Sequence, residues 1–93
     1  MIRTFRGRAA AIVFAGEVPK GFPSQIARVA RRKLTALDFA RQLDDLRSPP
    51  GSRLEALSGG RTGQHSIRVN DQWRVCFVWR DGDVYDVEIV DCH

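Results

Sequence analysis

The sequence closes on Asp91-Cys92-His93, an acid and an imidazole two residues apart at the end of an apolar run. Histidine titrates near ~6.5, so it can give or take a proton at neutrality, and an adjacent carboxylate can orient it or raise its pKa. The run Asp83-Val84-Tyr85-Asp86-Val87-Glu88-Ile89-Val90 reads as a strand up to that point, which predicts that Asp91 and His93 are held against a sheet. The bland alternative is a solvated chain end. Arginine is the second resource. With Asn70-Asp71-Gln72 as a three-residue hairpin loop, Val69 pairs with Trp73, Arg68 faces Arg74, Ser66 faces Cys76 and His65 faces Phe77. Like charges side by side on a sheet repel, so Arg68 and Arg74 require a nearby carboxylate or a bound anion. A turn at Asp81-Gly82 sets Ile89 or Val90 opposite Arg74, depending on whether the loop has two or three residues. Either register brings Asp91 and His93 close to Arg74. The expectation is one cluster of the three, with a plain Arg74–Asp91 ion pair as the structural alternative.

The elements that must position these groups follow from apolar spacing and breakers. Ile2-Arg3-Thr4-Phe5 alternates over too few residues to stand alone and is expected as a strand added to a sheet formed later in the chain. Arg8 to Ala15 is a short Ala-rich helix stopped by Gly16, and Pro19, Gly21 and Pro23 mark a loop. From Ser24 as N-cap, Ile26, Ala30, Leu34, Leu37 and Leu43 trace the apolar stripe of one long helix to about Leu46. Arg28, Arg31, Arg32 and Arg41 fall largely off that stripe, a basic face for RNA or a partner, or else simply solvated. Ser48-Pro49-Pro50-Gly51 ends the helix. Strands are expected over Leu54–Leu57, Gln64–Val69, Trp73–Arg80 and Val84–Val90, with Ser58 to Gly63 a flexible connection. Glycines 59, 60 and 63 precede neither a lysine nor a helix, so they read as turn residues and not as a phosphate loop. Ile67, Val69, Trp73, Val75, Phe77 and Trp79 share one sheet face as the core beneath the long helix, and Gln64, Ser66, Arg68 and Arg74 share the other. His65 lies on the apolar face as a core-edge histidine.

Ninety-three residues suit one domain spanning residues 1–93, which would bury about 60% of its unfolded surface. A hydrophobic fraction of 43% is that of a globular chain, and no apolar stretch is long enough to cross a bilayer. The opening residues lack a signal-peptide pattern and the two cysteines lack metal-ligand spacing, so a cytoplasmic protein with reduced Cys76 and Cys92 is expected, with no membrane, metal or cofactor. The formal charge is +4, and of fifteen basic residues only Lys20 and Lys33 are lysine. Arginine pairs bidentately with phosphate and stacks on bases, which points to nucleic acid or an acidic protein.

Three stretches carry a resemblance: Arg53-Leu54-Glu55-Ala56-Leu57-Ser58-Gly59, His65-Ser66-Ile67-Arg68-Val69-Asn70-Asp71-Gln72-Trp73-Arg74, and Val87-Glu88-Ile89-Val90-Asp91-Cys92-His93. With Met1-Ile2-Arg3-Thr4-Phe5 and the long helix before Pro49-Pro50, nearly the whole chain resembles the HigB (host inhibition of growth) toxins of bacterial type II toxin–antitoxin systems, within the RelE/ParE superfamily. The resemblance implies an α+β fold of order β-α-α-β-β-β-β, a small antiparallel sheet against two N-terminal helices. It implies an endoribonuclease that cuts messenger RNA on the translating ribosome. It further implies a HigA-like antitoxin with a helix-turn-helix, through which alone operator DNA is met. Arg74, Asp91 and His93 match positions important for cleavage in the family. Glu55 and Ser58 stand where well-studied members carry His and Lys, and Cys92 replaces an aromatic residue. A branch of the family shares the Leu-Glu-Ala-Leu-Ser-Gly pattern.

Cleaving RNA without a metal requires the 2′-hydroxyl deprotonated, the phosphorane charge stabilised and the departing 5′-oxygen protonated. Arg74, helped by Arg68, is the candidate for the phosphate. His93 is a base or an acid oriented by Asp91 or the terminal carboxylate, and Glu55 is the remaining acid–base candidate on a nearby strand. Arg61, Gln64, Ser58 and Cys92 complete the candidate RNA-contacting set. Two other classes fit the same fold: a non-nucleolytic inhibitor of DNA gyrase, as ParE relatives are, and an inert basic RNA-binding module.

Overall fold

The tightest local constraint sits between the last two strands. Asp81 and Gly82 both take positive φ, 52° and 82°, the two-residue turn whose twist matches a right-handed β-ribbon, and glycine meets it without steric cost. In the computed structural model, which describes residues 1–48 and 52–91, this turn joins β3 (Trp73–Arg80) to β4 (Asp83–Asp91). With β1 (Glu55–Ala56) and β2 (His65–Arg68) they form an antiparallel sheet in the order β1-β2-β3-β4. The β2–β3 register is the expected one, with Arg68 facing Arg74, Ser66 facing Cys76 and His65 facing Phe77. Asn70 Oδ1 accepts from the N–H groups of Gln72 and Trp73 at 2.9 and 2.8 Å, an Asn side chain standing in for strand partners inside the turn. On the far side the two-residue loop by itself would set Ile89 opposite Arg74, but a one-residue register shift between Cys76 and Val78 makes Val90 its partner.

β4 changes parity halfway. Cys76 faces Glu88 but Val78 faces Tyr85, so Phe77 is opposed by both Asp86 and Val87, and Asp86 adopts a positive φ of 53°. This is a β-bulge. It turns both Val84 and Val87 into the core, each with no exposed surface, although strict alternation puts residues three apart on opposite faces. The bulged N–H donates to Thr4 Oγ1 at 2.8 Å, and the N-terminal segment runs parallel to β4 there. Ile2 bridges Val84 and Phe5 bridges Val87. The expected N-terminal strand is thus present as two isolated bridges, because the bulge interrupts the ladder between them. Asp38 Oδ1 accepts from the Ile2 N–H at 2.8 Å and ties this edge to the helical layer.

That layer consists of α1 (Ala9–Phe14) and α2 (Ser24–Phe39). Pro23, not Ser24, is the N-cap of α2; its fixed φ of −63° with an extended ψ leads the chain in, and its carbonyl accepts the Ala27 N–H at 3.0 Å. Ala27, Ala30, Leu34 and Leu37 form the buried stripe, facing Ile67, Val75, Phe77, Val84 and Val87. The helix does not continue to Leu46. Ala40 is extended, and the Asp45 carboxylate accepts the N–H groups of Arg41 and Gln42, both at 3.0 Å, opening a separate 3₁₀ turn over Leu43–Arg47. These two donors hold the Asp45 carboxyl below the usual carboxylate range. Leu46 still reaches the core from the turn. Among the described residues no helix is long and apolar enough to cross a membrane.

Candidate active site

With one sheet face closed by the helices, alternation sends every second side chain of β1–β4 to the other. The pairings Glu55–Ser66, Ser66–Cys76 and Cys76–Glu88 line up one row across all four strands, with a carboxylate at each end. The next row is Arg68, Arg74 and Val90. The middle of the first row is closed to solvent, Ser66 and Cys76 being 0% and 2% exposed. A buried hydroxyl needs a partner, and Ser66 Oγ accepts from Arg74 Nε at 2.9 Å. The same guanidinium donates from Nη2 to the Arg53 carbonyl at 3.2 Å and lies 3.5 Å from Glu55 Oε2. Three groups, one on β2 and two on the segment that enters β1, therefore fix one arginine. Among the described residues its contacts use Nε and Nη2, which leaves the Nη1 corner for a ligand oxygen.

The opposed arginines resolve their repulsion by diverging. Arg74 takes Glu55, while Arg68 Nη2 pairs with Asp71 in the β2–β3 turn. The carboxylate required by the sequence is thus supplied twice, and the alternative of an Arg74–Asp91 ion pair is replaced by Arg74–Glu55. Asp91 faces Trp73, one position beyond the Arg74 partner Val90 and so of opposite parity, and its Oδ2 accepts from Gln72 Nε2 at 3.1 Å. Cys92 and His93 lie outside the described residues.

Arg61 and Gln64 join the face from the β1–β2 connection. This connection carries a 3₁₀ turn, Gly59–Arg61, preceded by Ser58, whose carbonyl accepts the Arg61 N–H at 3.3 Å. Arg61 Nη1 donates to Gln64 Oε1 at 3.1 Å and crosses to Glu88 Oε1 at 2.6 Å. A loop from one sheet edge is thereby anchored to the opposite strand by a largely buried carboxylate. Ser58 itself is exposed. His65 stacks on Phe77 at 6.1 Å, with its Nδ1 buried and, among the described residues, without a hydrogen-bond partner, the core-edge position expected of it.

Sequence reasoning gave no role to Glu88, to the Ser66 hydroxyl or to the Arg53 carbonyl. Glu88 was within reach of parity, since it stands two residues from Val90 on the Arg74 face. The Arg53 carbonyl had no sequence signal; this residue takes a positive φ of 45°, which depends on the local chain path. The assembled face offers a fixed guanidinium to a phosphate, a carboxylate beside it that can accept a proton, and a second cation, Arg68, opposite.

The family description that matches the chain, "RelE-like toxin of type II toxin-antitoxin system HigB", covers residues 12–93. The chain is similar to Toxin HigB-1 of Vibrio cholerae, 52% identical over 60 residues, a stretch that is 64% of this chain and 63% of that protein. It is also similar to Endoribonuclease HigB of Proteus vulgaris, 31% identical over 93 residues and over the full length of both. In fold it is similar to the crystal structure of a point mutant of YafQ from E. coli, with a TM-score of 0.62 at 14% identity, covering 98% of this chain and 91% of that one. The match over residues 12–93 and the end-to-end similarity to the Proteus protein mean that this chain belongs to the HigB-type, RelE-like toxins of type II toxin–antitoxin systems.

Proposed function

We propose that this toxin is an endoribonuclease that cleaves messenger RNA on the translating ribosome, by attack of the 2′-hydroxyl on the adjacent phosphodiester and without a metal. The observation that carries this reading is Arg74, locked by the buried Ser66 hydroxyl and by Glu55 at the sheet end where β4 finishes. A guanidinium that needs no reorganisation is suited to the charge that grows on a pentacovalent phosphate. Arg68 assists it. Glu55, beside Arg74, takes the proton of the 2′-hydroxyl or shares that role with His93, and His93 oriented by Asp91 protonates the departing 5′-oxygen. Arg61, Gln64, Ser58 and Cys92 contact the strand on either side. The relative named an endoribonuclease, aligned over the full length, supports the activity. An antitoxin is the partner of any type II toxin; here it is a HigA-like helix-turn-helix protein, and the toxin acts in the cytoplasm.

The test is to induce the chain in bacteria and map new 5′ ends on translated messages, alongside Arg74→Ala, His93→Ala and Glu55→Gln. New ends inside coding regions are expected, reduced about 100- to 1,000-fold without Arg74 and at least about 100-fold without His93. Growth arrest with intact messages would sink the nuclease reading and favour a gyrase-directed inhibitor.

A further inference from the structure

A second cationic centre lies on the helix side of the same sheet end. Between the second half of α2 and the segment entering β1 is a hollow of about 370 Å³, floored by Ala36 and Leu46 and edged by Arg32, Lys33, Ser48 and Ser52. Lys33 Nζ donates to Ser52 Oγ at 2.7 Å. Ser52 is only 3% exposed, so its hydroxyl is a fixed feature of the wall, with its own proton still available to donate. Among the described residues Lys33 has no carboxylate partner, and neither has Arg32. Burial and the charges of Arg32 and Arg68 lower the Lys33 pKa. A partly desolvated ammonium beside a guanidinium, hydrogen-bonded only to a neutral hydroxyl, is stabilised by an anion that replaces lost water.

We propose that this hollow binds a phosphodiester of the RNA strand, with Lys33 as the principal contact and Arg32 and the Ser48 and Ser52 hydroxyls completing the site. The proposal rests on the RNA reading of the Arg74 face, and Arg68 connects the two. Arg68 stands opposite Arg74 in the sheet, pairs with Asp71 in the β2–β3 turn, and its charge is among those that lower the Lys33 pKa. A polyanion with regularly spaced charges matches cations set in such a track, whereas an isolated acidic side chain would satisfy only one of them. A strand whose scissile phosphate sits on Arg74 has further phosphates to place, and Arg68 adjoins Ile67, which lines the hollow.

The experiment measures the affinity of the whole toxin for a single strand made uncleavable by 2′-O-methyl groups, as a function of salt, for the wild type, Lys33→Met, Lys33→Arg and Arg32→Gln. Message cleavage by the wild type is followed separately. The expected result is that Lys33→Met weakens binding about three- to tenfold and flattens the log–log salt slope by about 0.7, one phosphate contact on a single strand. Lys33→Arg restores both quantities, and Arg32→Gln moves them in the same direction as Lys33→Met. Arg32 is exposed, so its variant decides the question should Lys33→Met fail to fold. Unchanged affinity and slope in folded variants would overturn the proposal, as would weakened capture of the antitoxin with RNA binding intact. A wild type that binds the strand through Lys33 yet cuts no message would support the subsite while removing the nuclease reading.

Discussion

Ser66 is small and chemically inert at neutral pH, yet it holds the Arg74 guanidinium. Its Oγ, wholly buried, is the acceptor that fixes Nε. Without that bond the arginine turns about its long side chain, and the phosphate contact proposed for it loses its fixed direction. Ser66→Ala should therefore cut RNA cleavage about tenfold or more and cost about 1.5–3 kcal/mol of stability, the range for hydrogen bonds to charged groups; single-turnover cleavage and urea unfolding read the two effects. Ser66→Thr, which keeps the oxygen, should recover most of the rate if it is accommodated against Cys76. A rate unaffected by Ser66→Ala would mean that Glu55 and the Arg53 carbonyl suffice to orient Arg74. Lys33 makes a second prediction at this scale. Because burial and two neighbouring guanidinium groups lower its pKa, the folded state disfavours its charge, so folding stability should rise as pH climbs through the folded pKa towards the ordinary 10.5. Side-chain NMR titration of Lys33 should place its midpoint below that value.

At the level of elements, the bulge in β4 and the break after α2 decide the architecture, and both turn on an aspartate. Asp86 sits at a φ of 53°, a conformation that a β-branched residue strongly resists. Asp86→Val should destabilise the fold by about 1–3 kcal/mol despite the higher strand propensity of valine, whereas Asp86→Gly should be close to neutral; thermal unfolding separates them. Asp45 makes an acid prediction. Its folded pKa lies below the ordinary 3.8, so its contribution is fully present above the unfolded value and is lost as pH falls through the folded one. The Arg41 and Gln42 amides should therefore gain exchange with acid below about pH 4, and Asp45→Asn should largely remove that dependence. These elements also show what was legible in the sequence. The β2–β3 register could be read from Asn70-Asp71-Gln72 and the flanking alternation, because turn length and parity are local. The end of α2 could not, since Leu43 and Leu46 continue the helical stripe and only the side-chain geometry of Asp45 shows that backbone capture wins. The bulge was hidden because nothing in Tyr85-Asp86-Val87 except spacing marks it. Glu55 is placed at the site by its strand, but strand order alone points to Asp91 as the carboxylate of Arg74, because the reach of an arginine across two strands is not a property of register.

Across the whole molecule, the first and last segments of the sheet complete each other. The N-terminal residues satisfy five backbone groups of β4, through Val84 N–H to Met1, Val87 N–H to Thr4, Asp86 N–H to Thr4 Oγ1, Arg3 N–H to the Val84 carbonyl and Arg6 N–H to the Val87 carbonyl. Removing residues 1–6 should expose that edge and drive the chain to self-associate, visible by sedimentation, since an uncovered edge pairs with its like. The same stitching has a consequence for synthesis. Val84 and Val87 close the core and β4 is the anchor for the first six residues, yet β4 is the last described element to be translated. Until it emerges, the nascent chain has two helices and an unfinished ribbon, with its longest-range pairings unmade. The Arg74 face, which needs Glu88 to seat Arg61, is likewise unfinished. A premature stop upstream of Asp83 should therefore release a chain with neither a closed core nor a finished Arg74 face, disarmed by incompleteness.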